Sequence, residues 1–168
     1  MSQRKLWWLV AILLLIAVPA FAQAQLLTGQ ATRRTHKVAF TTLSDAVKLS
    51  GPLGAPGTKE RDAGIRTGTI DGRSVGTGAV VDSGTWGAGG TFRATGRSFD
   101  TRGTVAFKTV VTATPGPGGK LRLKGTITVI SGTGAFKGIR GTLKVTGTAP
   151  LGSDDDADTL RATGTVTF

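Results

Sequence analysis

The chain has 168 residues, a formal net charge of +11 at pH 7, 26 glycines and no cysteine. The lack of cysteine excludes disulfides, thiolate metal sites and cysteine nucleophiles, so the stability of the fold must come from burial and backbone pairing. Collagen-like and disordered chains are also excluded, because the glycines have no three-residue period and apolar residues alternate with polar ones.

The first residues have the pattern of a secretory signal peptide. Two basic residues precede an apolar run over 6–18, and small residues follow directly. This run is shorter than the roughly 20 residues that a membrane-spanning helix needs. We therefore predict a signal peptide over 1–24, cleaved after Ala22 or Ala24, with export to the periplasm or the exterior and no stable membrane insertion after cleavage.

The mature chain is predicted to be almost entirely β-structure. Threonine suits pleated surfaces and glycine marks turns and bulges, whereas long stretches of good helix formers are missing. Residues 25–34 are predicted to be a flexible mature N-terminus, and residues 35–168 a single β-barrel domain. The first strand is expected to begin near Thr35, with Val38 and Phe40 on its buried face.

Turn signals separate the strands that follow. The segment from Ser50 to Gly64 is rich in glycine, proline and charge, which predicts a long loop that covers one mouth of the barrel. Asp71-Gly72 favours a type I′ turn between two strands. Alternating patterns predict strands near Arg66–Ile70, Arg73–Val81, Thr91–Asp100, Gly103–Thr114, Leu121–Ser131, Thr142–Ala149 and Leu160–Phe168.

About eight short strands, each with one apolar face, favour a closed antiparallel β-barrel, because closure removes exposed edges. A two-sheet β-sandwich stays an alternative, since a period of two residues does not distinguish the two architectures. Five apolar side chains on inward faces are predicted to line the interior and contact a ligand: Phe92, Phe107, Leu123, Ile127 and Val129.

One glycine-rich stretch, Ile130–Gly141, reads I-S-G-T-G-A-F-K-G-I-R-G. It resembles the G-G-T-G-x-F-x-x-A-R-G signature of dirigent proteins and of the related allene oxide cyclase-like barrels, and the chain is most similar to secreted bacterial members. Ser131 and Ile139 depart from the signature. The residues that match it as a structural turn motif are Gly132, Gly134, Phe136, Gly138 and Gly141.

This resemblance implies an eight-stranded barrel with an apolar cavity, and it leaves room for a homo-oligomer. Dirigent proteins guide the coupling of phenoxy radicals without oxidising them, and the cyclases close an allene oxide ring. The shared signature is structural, so it carries no catalytic residue over to this chain. The leading hypothesis is a barrel that binds or orients a small hydrophobic or aromatic ligand without covalent catalysis.

Two other hypotheses stay open. One is an allene oxide cyclase-like isomerase or cyclase, which requires an inward-facing charged residue beside polar partners. The other is an envelope module that binds anionic glycan or lipid through a basic outer wall. The outward cations of that wall are Arg93, Lys108, Arg122, Lys124, Lys144 and Arg161.

Other chemistry is disfavoured by residue patterns. No cofactor is expected, because the glycine-rich stretch joins two strands, whereas a dinucleotide fingerprint opens a helix. Nucleic acid is not an expected partner, because tyrosine is absent and the phenylalanines mostly point inward. No metal site is predicted, since the acidic run Ser153–Asp158 lacks the glycine and glutamate of an EF-hand; a weak calcium site there stays an alternative.

Polar candidates for a site are few. The single histidine, His36, is interpreted as a barrel-end residue rather than a base. Asp82 and Asp100 are expected at strand ends, where they either line a cavity mouth or are ordinary loop residues. A catalytic carboxylate pair would require two carboxyl groups about 5–10 Å apart. The candidates for it are Asp45, Asp62, Asp71, Asp82 and Asp100.

Overall fold

Eight strands with one apolar face each close on themselves in the computed structural model, which describes residues 33–150 and 157–168. Every strand pairs antiparallel with its sequence neighbours, and the last pairs with the first. The strands are β1 (Thr35–Leu49), β2 (Lys59–Ile70), β3 (Arg73–Gly87), β4 (Thr91–Asp100), β5 (Gly103–Pro115), β6 (Lys120–Gly132), β7 (Arg140–Pro150) and β8 (Asp158–Thr167). The predicted closed barrel is confirmed, and the sandwich alternative is wrong.

Several predictions fall on other parts of the chain. The predicted signal peptide over 1–24, most of the predicted N-terminal segment over 25–34, and residues 153–156 of the acidic run lie outside the described residues. Within the described ranges, no helix has the length and apolar character that crossing a membrane requires.

Alternation of side chains builds the barrel wall. In β6, Leu121 and Leu123 are buried, whereas Arg122 and Lys124 between them are exposed to solvent. Burying one apolar face of each strand is favourable, and closure leaves no unpaired edge. Phe40 of β1 lies opposite Ala162 of β8, where the last strand meets the first.

The barrel has two unlike ends. At the first, which we call the glycine-rich end, tight connections at Asp71-Gly72 and Thr101-Arg102 lie beside the longer connection over 133–139. At the second, called the loop end, the connections among the described residues cover 50–58, 88–90 and 116–119. The cavity described below lies toward the glycine-rich end.

The predicted loop over Ser50–Gly64 is wrong in its second half. Only residues 50–58 form the connection, and β2 begins at Lys59. Glu60 and Asp62 are buried in this strand. Buried and exposed side chains alternate in this part of β2, but the buried ones are charged. A pattern of alternating apolar residues therefore does not predict the strand.

Strand β3 also continues past its predicted end at Val81. Asp82 therefore lies within the strand rather than at its end, and Trp86 is one of the most buried residues of the interior. The connection over 50–58 is fixed to this part of β3, because the Trp86 amide donates a hydrogen bond to the Thr58 carbonyl at 2.9 Å. Leu53 of the connection packs against the core, so the connection covers the loop end.

The turn between β2 and β3 has the conformation that its sequence predicts. Asp71 and Gly72 have φ values of 50° and 77°, as a type I′ turn requires. The Asp71 carboxylate accepts a hydrogen bond from the Lys37 amide at 2.8 Å and contacts His36 Nδ1 at 2.7 Å. The His36 ring stacks on Phe168. His36 is thus part of a barrel-end contact.

Replacing Asp71 by asparagine is expected to lower stability by an amount that depends on pH. The hydrogen bonds from His36 and from the Lys37 amide lower the pKa of the Asp71 carboxyl. A lowered pKa in the folded chain gives a contribution that is present above the ordinary value and is lost as the pH falls through the folded value. Urea unfolding should separate the wild type from Asp71→Asn more at pH 6 than at pH 3, which is below the ordinary pKa; an equal separation at both would contradict this assignment.

Candidate functional site

A cavity of about 90 Å³ lies inside the barrel toward the glycine-rich end. Most of its wall is apolar, and a small polar group of Arg66, Ser98, Asp100 and Arg102 occupies one side. An apolar cavity with a few convergent polar groups is typical of small-molecule sites. The apolar wall includes Val38, Phe40, Ile70, Val80, Val105, Phe107, Ile127, Val129, Phe136, Ile139, Leu143, Ala162 and Val166.

The five residues predicted to line the interior fall into two groups in the structure. Phe107, Ile127 and Val129 line the cavity. Phe92 and Leu123 are buried in the barrel but are not among the residues that line this cavity. Phe92 packs on Trp86 with ring centroids 5.0 Å apart, and Leu123 belongs to a separate apolar cluster with Leu121 and Ala149. That any of the five contacts a ligand stays a prediction.

The glycine-rich connection closes one end of the cavity. Its Phe136 and Ile139 are buried and line the cavity wall. Gly134 has a φ of 58°, and a Cβ atom there would overlap the Arg102 carbonyl, so only glycine lets this connection lie against the β4–β5 turn. The Arg102 guanidinium lies 5.2 Å from the centroid of the Phe136 ring. The stretch that sequence analysis assigned to structure alone thus also supplies two wall residues.

Arg66 is the charged residue most directly placed on the cavity. It lies on the inward face of β2, and its side chain is 11% exposed. Its Nε donates a hydrogen bond to Ser98 Oγ at 2.7 Å, and its Nη2 donates to Asp100 Oδ2 at 3.4 Å. The guanidinium lies 4.8 Å from the Phe40 ring centroid. Burial lowers the pKa of Arg66, and Asp100 opposes that change.

The Asp100 carboxylate forms most of its hydrogen bonds with Arg102. This carboxylate is 4% exposed, and it accepts hydrogen bonds from the Arg102 amide and Nε at 3.0 Å each and from Nη2 at 2.9 Å. These contacts with Arg102 hold the pKa of Asp100 well below its ordinary value. Asp100 does lie at a strand end and on the cavity, which is one of the two alternatives that the sequence left open.

A second polar group lies on the inward face nearer the loop end. Asp62 and Asp82 are directly opposite each other across β2 and β3. Each has a buried Oδ1 atom without a hydrogen-bond partner among the described residues. Glu60 is buried beside them, and its carboxylate accepts a hydrogen bond from the Trp86 indole at 2.5 Å. Of the five candidates for a carboxylate pair, the structure therefore brings Asp62 and Asp82 together.

Burial changes the proton affinity of these carboxyls. Desolvation, followed by the charge of Glu60, raises the pKa of Asp62, and desolvation also raises the pKa of Asp82. Burial and the neighbouring acids raise the pKa of Asp158 on β8 to about 7. The pair can hold a proton, but neither member lines the cavity. Within the described ranges, no group of three or more His, Cys, Asp or Glu residues is placed to hold a metal ion.

Sequence analysis did not single out Arg66 or Ser98. One signal was available: Arg66 has the same parity in its strand as Ile70, and Ser98 has the same parity as Phe92. Parity places a residue on the inward face whatever its polarity. Charged residues normally face water, and in this barrel that rule fails on β2.

The outer wall carries the cations that the sequence predicted there. The six of them are exposed and lie on the five strands from β4 to β8. Lys108 lies between Thr95 and Thr128 of the neighbouring strands, and Lys144 lies between Thr126 and Thr163. Threonines therefore separate the cations, which reduces their mutual repulsion.

Comparisons with known proteins do not identify a family for this chain. No family model matches the chain, and no curated protein matches it. A solved structure of pyocyanin demethylase is similar with a TM-score of 0.39 and 14% sequence identity, over 74% of this chain and 97% of that chain. A likeness this distant carries no inference about the activity of this chain.

Proposed function

We propose that this chain is a secreted or periplasmic dirigent-like barrel that binds and orients a small hydrophobic or aromatic ligand in its cavity, without covalent catalysis. The observation that carries the proposal is a largely apolar cavity inside a closed barrel, with its few polar groups on one side. The glycine-rich connection, on which the dirigent resemblance rests, forms part of the cavity wall through Phe136 and Ile139.

The size of the cavity limits the ligand. A volume of about 90 Å³ is below the roughly 300–1,000 Å³ of pockets for drug-sized ligands. A water molecule needs only about 10–15 Å³ on a comparable measure. The favoured ligand in this conformation is therefore a small molecule of about one ring, enclosed by the apolar wall.

The charged groups on the cavity favour binding over acid–base catalysis. Arg66 and Arg102 are guanidinium groups, which keep their protons at neutral pH. Asp100 is a weak base, because its hydrogen bonds with Arg102 lower its pKa. Among the described residues that line the cavity, none is thus matched to proton transfer near neutral pH.

Benzyl alcohol, a neutral one-ring probe, is expected to bind the wild-type barrel with a stoichiometry of one in titration calorimetry. Replacing Ala162 by leucine adds apolar volume inside the cavity and should weaken this binding at least about tenfold, since the added side chain takes the space of the ligand. Ala106 is outside this cavity and makes a matched control. Ala106→Leu should bind benzyl alcohol as the wild type does.

Two results would overturn the binding proposal. One is that no small apolar probe binds the wild-type protein in the micromolar to millimolar range. The other is that Ala162→Leu binds benzyl alcohol as tightly as the wild type and Ala106→Leu do, which would place the bound probe outside the cavity.

A cyclase-like or isomerase alternative has one observation in its favour. Arg66 is an inward charged residue beside a polar partner, Ser98, and a desolvated guanidinium can stabilise negative charge that develops on a substrate oxygen. Recovering the bound molecule chemically unchanged after long incubation would favour the binding proposal. Recovering an isomer, formed by the wild type and not by Arg66→Met, would favour this alternative.

The envelope-binding alternative rests on the outer wall. Six exposed cations on neighbouring strands would attract an anionic glycan or lipid surface. Binding through exposed charge should weaken steeply between about 0.05 and 0.5 M salt, because added ions screen it. Binding that does not change with salt would contradict this alternative.

A further inference from the structure

The charge on the cavity is not balanced. Arg66 and Arg102 both hydrogen-bond to Asp100, and their Nη2 atoms share one carboxylate oxygen, Oδ2. Asp100 is the only carboxylate among the described residues that line the cavity. Two guanidinium groups and one carboxylate leave one positive charge on this side of the cavity. Arg102 is 42% exposed and can be solvated, whereas Arg66 is only 11% exposed, so the charge that is kept from bulk water is that of Arg66.

Arg66 is also paired less closely with the Asp100 carboxylate than Arg102 is. It donates one hydrogen bond to Ser98 and one, at 3.4 Å, to Asp100. A guanidinium has five N–H donors, and Nη1 donates to no protein atom among the described residues. The Arg102 guanidinium also donates two, but both are short bonds to Asp100, at 3.0 and 2.9 Å, and its side chain is 42% exposed, so water reaches its other donors. The unused donors of Arg66 are not among the fully buried unpaired atoms of the described residues, so an anion or water beside the guanidinium can complete their contacts.

The surroundings of Arg66 are suited to an anion on an apolar body. The guanidinium carbon of Arg66 lies over the Phe40 ring, 4.8 Å from its centroid, so the cation has an aromatic neighbour on one side. Apart from Thr42 and the polar group, the wall around the cavity is apolar and includes Ile70, Val80 and Phe107. A planar fork in an apolar cavity matches a carboxylate, which can accept two parallel N–H hydrogen bonds.

We propose that the ligand of this cavity is a small organic carboxylate. Its carboxylate group binds Arg66, and its apolar part fills the space that Phe107 and Ile127 line. This inference rests on the proposed function, because it assigns the chemical class of the ligand to the same cavity. Asp100 keeps Arg102 in place, and Arg66 provides the charge that the ligand neutralises.

Benzoate and benzyl alcohol test this inference, because both carry one ring and only benzoate is an anion at pH 7. In titration calorimetry, the wild type should bind benzoate at least about tenfold more tightly than benzyl alcohol, as expected for hydrogen bonds to charged groups. Each probe should displace the other, since they share the cavity. Arg66→Met should lose this preference, so that benzoate binds no more tightly than benzyl alcohol.

The variants have a matched control. Arg61 is exposed on the outer face of the same strand, so Arg61→Met removes one positive charge without touching the cavity and should keep the preference for benzoate. Arg66→Met is expected to fold, because Asp100 keeps its hydrogen bonds from Arg102. Arg66→Lys, which keeps the charge and loses the fork, should have an intermediate preference.

Equal affinity of the wild type for both probes overturns the carboxylate assignment and leaves the cavity proposal standing; this comparison requires no variant. Benzoate preference that survives in Arg66→Met overturns it as well, because the anion then binds elsewhere, for example on the basic outer wall. Binding of neither probe overturns the proposed function itself, and the carboxylate inference with it.

Discussion

Replacing Asp62 by asparagine is expected to stabilise the barrel by about 2–4 kcal/mol at pH 7. Asp62 is 9% exposed, lies opposite Asp82, and is close to Glu60. Burial and these acids raise its pKa strongly from the ordinary 3.8. Each unit of pKa shift corresponds to about 1.4 kcal/mol. Asparagine has almost the same shape and carries no charge, so it removes the cost of holding a buried carboxyl.

The sign of the pH dependence follows from proton linkage. The folded chain binds the Asp62 proton more tightly than the unfolded chain, so the stability linked to this proton is complete below pH 3.8 and is lost as the pH rises. Asparagine has no such proton. The advantage of Asp62→Asn should therefore be small at pH 4 and should grow by about 1 kcal/mol per pH unit from pH 5 to 8.

Urea unfolding of the wild type and Asp62→Asn at pH 4, 6 and 8 measures this difference. Asp45→Asn is a suitable control, because Asp45 is exposed on β1, and its effect should stay within about 0.5 kcal/mol. Two results would show that the pKa of Asp62 is not raised in the folded barrel. One is that Asp62→Asn is no more stable than the wild type at pH 8, and the other is that its advantage does not change with pH.

Replacing Gly125 by alanine is expected to destabilise the barrel by about 3 kcal/mol or more. Gly125 lies on the inward face of β6, opposite Val111 of β5. A Cβ atom at this position would overlap the Val110 carbonyl oxygen and crowd the Val111 Cα atom. Both are backbone atoms, so relief requires β5 and β6 to separate where they are hydrogen-bonded.

The neighbouring Thr126 provides the control for Gly125. Thr126 is exposed on the outer face of the same strand, so Thr126→Ala changes the chain by a similar volume without entering the barrel. Its effect should be below about 1 kcal/mol. The same stability of Gly125→Ala and Thr126→Ala in chemical unfolding would contradict a close approach of β5 to β6 at this glycine.

The barrel itself was predictable because its C-terminal half follows the alternation rule closely. In β6, apolar Leu121, Leu123 and Val129 are buried and Lys124 is exposed, so both the strand and its facing can be inferred from the chain alone. The Asp71-Gly72 turn was predictable for a similar reason, since few residue pairs accept positive φ at two successive positions.

The polar interior was not predictable in the same way. Glu60, Asp62 and Arg66 have inward parity on β2, yet charged residues normally face water. Whether such residues are stable inside depends on partners from distant parts of the chain. Ser98 and Asp100 lie more than thirty residues from Arg66, and nothing in the local sequence shows that β4 brings them to it.

The cavity depends on the same long-range placement. Phe107, Ile127 and Val129 were expected inside the barrel, but their parity does not show where side chains leave space. The space lies where Phe136 and Ile139 close the glycine-rich end. These two residues belong to a connection, and sequence patterns assign the direction of a side chain in strands far better than in connections.

The central claim is that one small molecule occupies this cavity, and native mass spectrometry of the purified protein tests it most directly. We expect the wild type to carry one small organic molecule per barrel, and Ala162→Leu to have the mass of the polypeptide alone. A wild-type protein with no bound molecule, or an equal mass excess in the wild type and in Ala162→Leu, would contradict the claim.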